Sequence, residues 1–152
     1  MPACVPRIHD ITTDTENPPL FVDILERRAK APNPPEYAGP EVARKQEKAY
    51  PHIQPLLLTD APEAAFERAF IAAESMGWEI VSKVPGEGRI EATATTRIFR
   101  FKDDVVVRIR PEESGSRVDV RSKSRLGRSD LGANAKRISR YLSAVKGVEP
   151  SR

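Results

Sequence analysis

Cysteine and histidine are scarce in this sequence. Its 152 residues contain one cysteine, Cys4, and two histidines, His9 and His52. A single cysteine excludes an internal disulfide bond and a metal site built from several cysteines. Two histidines, both in the proline-rich half, leave little for zinc binding or histidine-centred catalysis. No apolar run approaches the roughly 18 residues that span a bilayer, so the sequence predicts a soluble chain without a transmembrane segment.

Patterns typical of cofactor and metal sites are also missing. No glycine-rich stretch is followed by the lysine of a phosphate-binding loop, and no Gly-x-Ser-x-Gly turn presents a nucleophilic serine. Four aspartates offer oxygen ligands for Ca²⁺ or Mg²⁺: Asp103, Asp104, Asp119 and Asp130. No loop has the spacing of an EF-hand, and nearby arginines oppose a bound cation. The sequence therefore predicts no cofactor and no metal.

Proline divides the chain. Ten of the 14 prolines lie in residues 1–55, where they remove backbone donors and disfavour helix. We expect residues 1–54 to form an extended segment that wraps or leads into a single α+β domain at 55–147, with a tail at 148–152. Apolar residues are expected to anchor the segment: Ile11, Leu20, Phe21 and Ile24. The net charge of +3 is too small to indicate a class of partner.

Apolar periodicity after Pro55 predicts seven elements. A short apolar run indicates a strand at 56–58, and apolar stripes at helical spacing predict helices over about 61–76 and 130–146, the second capped by Ser129 or Asp130. Alternation with a period of two predicts four more strands. These are 78–84, 89–96 (with the pattern continuing through Phe99 and Phe101), 105–110 and 117–124, with turns at 85–88, 102–104 and 112–116. Short turns favour antiparallel neighbours. The predicted fold is α+β, an antiparallel four- to five-stranded sheet with two helices on one face, in the order β-α-β-β-β-β-α.

Three stretches resemble a known family. Phe101-Lys-Asp-Asp-Val105 and Val120-Arg-Ser-Lys-Ser-Arg-Leu-Gly-Arg-Ser-Asp-Leu-Gly-Ala-Asn-Ala-Lys-Arg-Ile138 resemble the paired signatures of the domain-of-unknown-function 1499 family. Ile11-Thr-Thr-Asp-Thr-Glu-Asn-Pro-Pro19 is similar to the leader found in its proteobacterial members. Members are often tethered, as lipoproteins or behind membrane helices. The resemblance therefore implies a role beside a membrane.

This sequence shows neither form of tether. Cys4 follows Pro2-Ala3, as at the end of a lipoprotein signal, but no apolar stretch precedes it. We therefore expect Cys4 to be an ordinary free thiol and this chain to be cytoplasmic. A longer natural N-terminus would make it periplasmic or membrane-tethered.

A basic segment between the last strand and the last helix is the candidate site. Residues 117–140 hold eight lysines and arginines against two acids. Small hydroxyl residues and glycines at a helix start leave backbone N–H groups free beside guanidinium groups, which is the composition of an anion-binding site. The candidate residues are Asp103, Asp104, Arg121, Ser122, Ser124, Arg125, Arg128, Ser129, Asp130, Asn134 and Arg137.

The same residues also permit a purely structural interpretation. Arg121 and Arg125 would pair with Asp103 and Asp104 in a facing turn and clamp the last helix onto the sheet. Asn134 would bond a nearby backbone group, and the Asp130 carboxylate would occupy the helix N-terminus in place of an external anion.

Three functions are compatible with the sequence. The first is a non-enzymatic binding or assembly domain at the cell envelope, with a membrane-associated protein or lipid as partner and an apolar or acidic ligand held on the open sheet face or between helices and sheet. The second is an anion-binding module that uses residues 121–137 for phosphate, a phospholipid headgroup or nucleic acid. Few aromatic residues accompany the basic stretch, which argues against nucleic acid. The third is a hydrolase-type enzyme using Asp103 and Asp104, one with a raised pKa.

Overall fold

A six-stranded antiparallel sheet forms the centre of the protein, as seen in a computed structural model that describes residues 5–149. Cys4, predicted to be a free thiol, and residues 150–152 of the predicted tail lie outside the described residues. The strands are β1 Asp10–Thr12, β2 Leu56–Leu58, β3 Glu79–Val84, β4 Arg89–Thr95, β5 Lys102–Glu112 and β6 Gly115–Ser124. The helices are α1 Pro40–Ala49, α2 Pro62–Ser75 and α3 Ala133–Gly147, with short 3-10 turns at Asp23–Glu26 and Pro85–Glu87. The predicted α+β class is confirmed.

The strand order is β1-β6-β5-β4-β3, and β2 also pairs with β6. β3 to β6 form the predicted meander, since each pairs with its neighbour in sequence. The register also shows which loops meet: Thr95 pairs with Lys102, and Asp103 pairs with Ser124. The loop from β4 to β5 and the loop from β6 to α3 therefore leave the same end of the sheet.

Helices α2 and α3 cover one face of the sheet. Alternate residues of β5 and β6 point to this face because successive side chains in a strand lie on opposite sides. Val105, Val107, Val118 and Val120 are among the buried residues of this core. Tyr141 of α3 lies fully buried in the same core, where its hydroxyl donates a hydrogen bond to the Ala69 carbonyl of α2 at 2.7 Å.

The opposite face is covered by residues 13–37, which we call the strap. Phe21 and Ile24 of the strap pack on Val106 and form a second, smaller core. Ile11 is also buried, in β1, whereas Leu20 is 73% exposed and is not an anchor. This arrangement contradicts the expectation of an open sheet face for a ligand, because the strap occupies that face.

Two predicted boundaries are wrong. Lys102, Asp103 and Asp104 begin β5, and the chain reverses instead at residues 96–101, which places Phe99 and Phe101 in an exposed loop. Helix α3 begins at Ala133 and not at 130. Leu131 and Gly132 both have positive φ values, of 54° and 85°, and a left-handed pair cannot belong to a right-handed helix.

No helix within residues 5–149 is both long and apolar enough to cross a membrane.

Candidate functional site

The sheet separates the candidate residues into two groups. Because strand residues alternate between faces, Asp103 points toward the helices and its neighbour Asp104 points toward the strap. In β6 the serines lie on the helix side and the basic residues on the strap side. The predicted single clamp is therefore wrong, because the candidate residues on the two faces belong to separate polar networks.

The first network surrounds Asn134 at the start of α3. Ser122 Oγ donates to Asn134 Oδ1 at 2.6 Å, and Asn134 Nδ2 donates to Ser124 Oγ at 3.0 Å. Arg137 Nη1 donates to Asn134 Oδ1 at 2.8 Å and forms an ion pair with Asp103, also at 2.8 Å. Asn134 is fully buried, so each of these bonds replaces a bond to water. The network attaches the first turn of α3 to the ends of β5 and β6.

Asn134 also bonds the backbone, since its Nδ2 donates to the His9 carbonyl at 3.2 Å. We expect Asn134→Leu to lower the free energy of unfolding by about 2 kcal/mol, because it leaves buried hydroxyl and guanidinium groups without their partner. Urea unfolding followed by circular dichroism measures this loss. Ser143→Ala, on the exposed side of the same helix, is the control and should change stability by less than about 0.5 kcal/mol. Equal losses in the two variants would contradict the network's role.

Asp103 is buried beside a single cation. Burial raises the pKa of its carboxyl above the ordinary value, although the Arg137 guanidinium and Ser124 both lower it. Asp103 and Asp104 lie in adjacent positions on opposite faces of β5. They cannot approach one substrate together, so the geometry does not bring Asp103 and Asp104 into one site as the hydrolase hypothesis requires.

The second network joins the strap to the sheet through Asp104. The Asp104 carboxylate accepts hydrogen bonds from Arg28 at 2.8 Å, from Arg125 at 2.8 and 2.9 Å and from Thr93 at 3.0 Å. The Asp104 side chain is 0% exposed and that of Arg28 is 1% exposed. The predicted Arg125–Asp104 contact is present, but its second cation, Arg28, comes from the strap.

Arg121 pairs with Asp10 and not with the predicted Asp103 or Asp104. Its guanidinium makes two bonds to Asp10, at 3.0 and 2.9 Å. It also donates to the carbonyl groups of Pro19 at 3.0 Å and Pro35 at 2.7 Å, at both ends of the strap. The pairing of β1 with β6 explains this contact. Thr12 lies opposite Arg121 and Asp10 lies opposite Lys123, so Asp10 is a diagonal neighbour of Arg121.

Sequence reasoning missed Asp10, Arg28 and Glu91. The Glu91 carboxylate is fully buried and accepts hydrogen bonds from the N–H groups of Val22 and Asp23, at 2.6 and 2.8 Å. A glutamate on an alternating strand looks like an ordinary exposed residue. The alternation of residues along β4 could have indicated its role, because it places Glu91 on the same face of the sheet as the other polar strand residues.

Arg128, Ser129 and Asp130 lie in the loop from β6 to α3. Asp130 accepts hydrogen bonds from the N–H groups of Gly132 at 2.8 Å and Asn134 at 3.1 Å. Its carboxylate thus occupies the N-terminus of α3, where the predicted anion would have to bind. The Arg128 side chain is exposed and forms no ion pair within residues 5–149.

A groove of about 560 Å³ lies between this loop and the loop at 96–101. It is lined by apolar side chains together with Asp103 and Ser124 of the Asn134 network. The lining includes Phe99, Phe101, Leu126, Leu131, Asp103, Ser124 and Lys136. Phe99 and Phe101 stack with ring centroids 5.6 Å apart. The groove joins the end of the sheet to the start of α3 and can accept an apolar group.

The chain is similar to a known protein family and to a solved structure. A family model described as "Protein of unknown function (DUF1499)" matches residues 10–145. No curated protein matches the chain. The crystal structure of protein CV1439 from Chromobacterium violaceum is similar, with a TM-score of 0.47 and 14% sequence identity over 64% of this chain and 96% of that chain.

Proposed function

This chain belongs to the DUF1499 family of proteins of unknown function, and we propose its role from its own residues. We propose that it is a non-enzymatic binding domain that works at the cell envelope. Its binding surface is the groove between residues 96–101 and 125–132. The observation that supports this proposal is the cluster of apolar side chains around that groove, among which Phe99 is 71% and Leu131 is 79% exposed. Exposed apolar clusters of this kind mark binding surfaces in stable proteins.

The pairing of the charged residues favours binding over an enzymatic role. Asp103 faces Arg137, and Asp104 faces Arg28 and Arg125. These carboxylates and guanidinium groups hold α3 and the strap in place. Removing Asp104 from its pairs to serve a substrate would leave the buried Arg28 charge uncompensated, which costs several kcal/mol.

The same pairing disfavours the anion-binding alternative. Arg121 is 1% exposed and Arg137 has an internal partner. Within residues 121–137, Arg128 and Lys136 are exposed and form no ion pair among the described residues. Two exposed cations, of which Arg128 lies near the Asp130 carboxylate, are a weak site for a free phosphate ion.

Binding at the groove can be tested with a small apolar probe. Sodium decanoate, kept below the concentration at which it forms micelles, is titrated into the ¹⁵N-labelled chain. We expect amide shifts confined to residues 96–101 and 125–133, and loss of these shifts in Phe101→Ser. Leu57→Ser, which changes an exposed apolar residue near the other end of the sheet, should leave them unchanged. Inorganic phosphate is the second probe and should shift few amides.

Two outcomes oppose the proposal. Decanoate shifts spread evenly over all exposed apolar residues would remove the groove as a site. Phosphate shifts concentrated at 121–137 would restore the anion-binding alternative.

A further inference from the structure

The loop from β4 to β5, together with the first residue of β5, exposes six consecutive residues of basic and apolar types. Arg97-Ile98-Phe99-Arg100-Phe101-Lys102 are all exposed. Ile98 is 84%, Phe99 is 71% and Phe101 is 47% exposed. Large apolar side chains in such positions cost solvation free energy unless another surface covers them.

A second loop places more apolar side chains at the same end. Leu126 is 54% and Leu131 is 79% exposed, and both line the groove opposite Phe99 and Phe101. Arg100 and Leu131 have positive φ values, of 57° and 54°. This conformation is unfavourable for residues with a Cβ atom and is concentrated at functional segments.

Unpaired cations surround these apolar tips. Five basic residues are exposed there: Arg97, Arg100, Lys102, Arg128 and Lys136. None of them forms an ion pair within residues 5–149. By contrast, the arginines of β6 and of the strap are largely paired with carboxylates. We call these five residues the basic rim. Of the two carboxylates that line the groove, Asp130 accepts bonds from backbone N–H groups and Asp103 pairs with Arg137. This end of the molecule therefore presents positive charge around the exposed apolar side chains.

We propose that this end of the protein docks on the anionic surface of a lipid bilayer. Apolar side chains that project outward enter the boundary between headgroups and acyl chains, while lysines and arginines around them contact lipid phosphates. A small ligand filling the groove would leave Ile98 and the outer parts of Phe99 and Leu131 in water, whereas a bilayer covers them all. The inference rests on the proposed function, since it names the partner of the same surface.

Vesicle co-sedimentation of the full chain tests this docking. Vesicles of phosphatidylcholine with a quarter phosphatidylglycerol are compared with vesicles of phosphatidylcholine alone. We expect at least tenfold tighter binding to the anionic vesicles, and a marked loss of binding as salt is raised from low to high concentration, since salt screens surface charge.

Two pairs of variants separate the apolar and the charged contributions. Phe99→Ser with Phe101→Ser should weaken binding by about 100-fold, because each phenylalanine contributes apolar burial. Arg97→Glu with Arg100→Glu should weaken it by about 25-fold or more, since each cation near an anionic surface is worth about fivefold. Leu126→Ser with Leu131→Ser, on the other loop, repeats the apolar test if the first pair unfolds.

The matched controls lie away from this end of the molecule. Leu57→Ser removes an exposed apolar residue, and Lys83→Glu with Lys146→Glu reverses two exposed cations. Both controls should bind anionic vesicles within about twofold of the unchanged chain, because neither surface meets the bilayer.

The vesicle and decanoate experiments together distinguish bilayer docking from ligand binding in the groove. Absence of vesicle binding together with retained decanoate shifts would overturn bilayer docking and leave the binding groove, with a partner protein as its occupant. Absence of both would overturn both. Equal binding to neutral and anionic vesicles, or equal effects of the control variants, would also overturn docking through the basic rim.

Discussion

Replacing Asp104 with asparagine should lower the free energy of unfolding by about 3–5 kcal/mol, as expected when a buried charge loses its partner. The Asp104 carboxylate is the shared counter-charge of Arg28 and Arg125. Arg28 has a side chain that is 1% exposed, and it cannot reach water without removing the strap from the sheet. Urea unfolding monitored by circular dichroism and by tryptophan fluorescence measures the loss.

Asp103→Asn is the matched control one residue earlier in the same strand. Asp103 faces only Arg137, whose side chain is 11% exposed, and burial already raises the pKa of the Asp103 carboxyl. The charged form of Asp103 is therefore less favoured in the folded protein. The control removes one ion-paired hydrogen bond to a partly exposed arginine and should lose about 1 kcal/mol, as is typical of one hydrogen bond. If the two variants lost the same free energy, Asp104 would not be the residue that holds the strap.

Arg121→Met should cost a similar amount, about 3–5 kcal/mol, and should also loosen the strap. Arg121 has the largest fully buried side chain among residues 5–149, and it donates hydrogen bonds to Asp10, Pro19 and Pro35. Its guanidinium also lies 4.6 Å from the centre of the Phe21 ring. Methionine fills much of the volume but satisfies none of these acceptors. Limited trypsin digestion should cut the strap at Arg27, Arg28 or Lys30 much faster than in the unchanged chain.

Arg110→Met provides the comparison for Arg121. Its side chain is 39% exposed, and it shares Asp14 and Asp119 with Arg108 and Arg117. Exposed pairs are worth less than about 1 kcal/mol, so this variant should remain close to the unchanged protein in stability and digestion. Adding Asp10→Asn to Arg121→Met should cost less than the sum of the two single changes. A fully additive result would show that the pair is not coupled.

The alternation of residue types in the segment 121–125 has a direct physical reason. A strand presents successive side chains to opposite faces. Arg121 and Lys123 therefore reach the strap, while Ser122 and Ser124 reach Asn134 under α3. This short segment thus holds both the strap and α3 on the sheet. Long cationic side chains suit the strap side, because they must reach backbone carbonyl groups of the strap. Small hydroxyl side chains suit the helix side, because α3 lies close to the sheet there.

Local chemistry made much of the fold predictable. The alternation of Val105, Val107 and Ile109 specified a half-buried strand, and the apolar stripe of 61–76 specified α2, because both patterns depend on neighbours in sequence alone. The short turns then implied the antiparallel meander. The polar character of the Arg121–Arg137 segment was equally evident from the sequence. The partners of its side chains could not be predicted, since Asp10 lies 111 residues from Arg121 along the chain.

The sequence by itself thus determined the α+β class, the meander and the two main helices, because the spacing of apolar residues decides which side chains of a helix or strand can be buried together. Only the tertiary structure decided that the strap covers the second face of the sheet and that Asp103 contacts α3 whereas Asp104 contacts the strap. It also decided that residues 96–101 form an exposed loop instead of continuing a strand. These features depend on which distant groups meet. Ion pairs and loop ends are set by three-dimensional register, which no local pattern encodes.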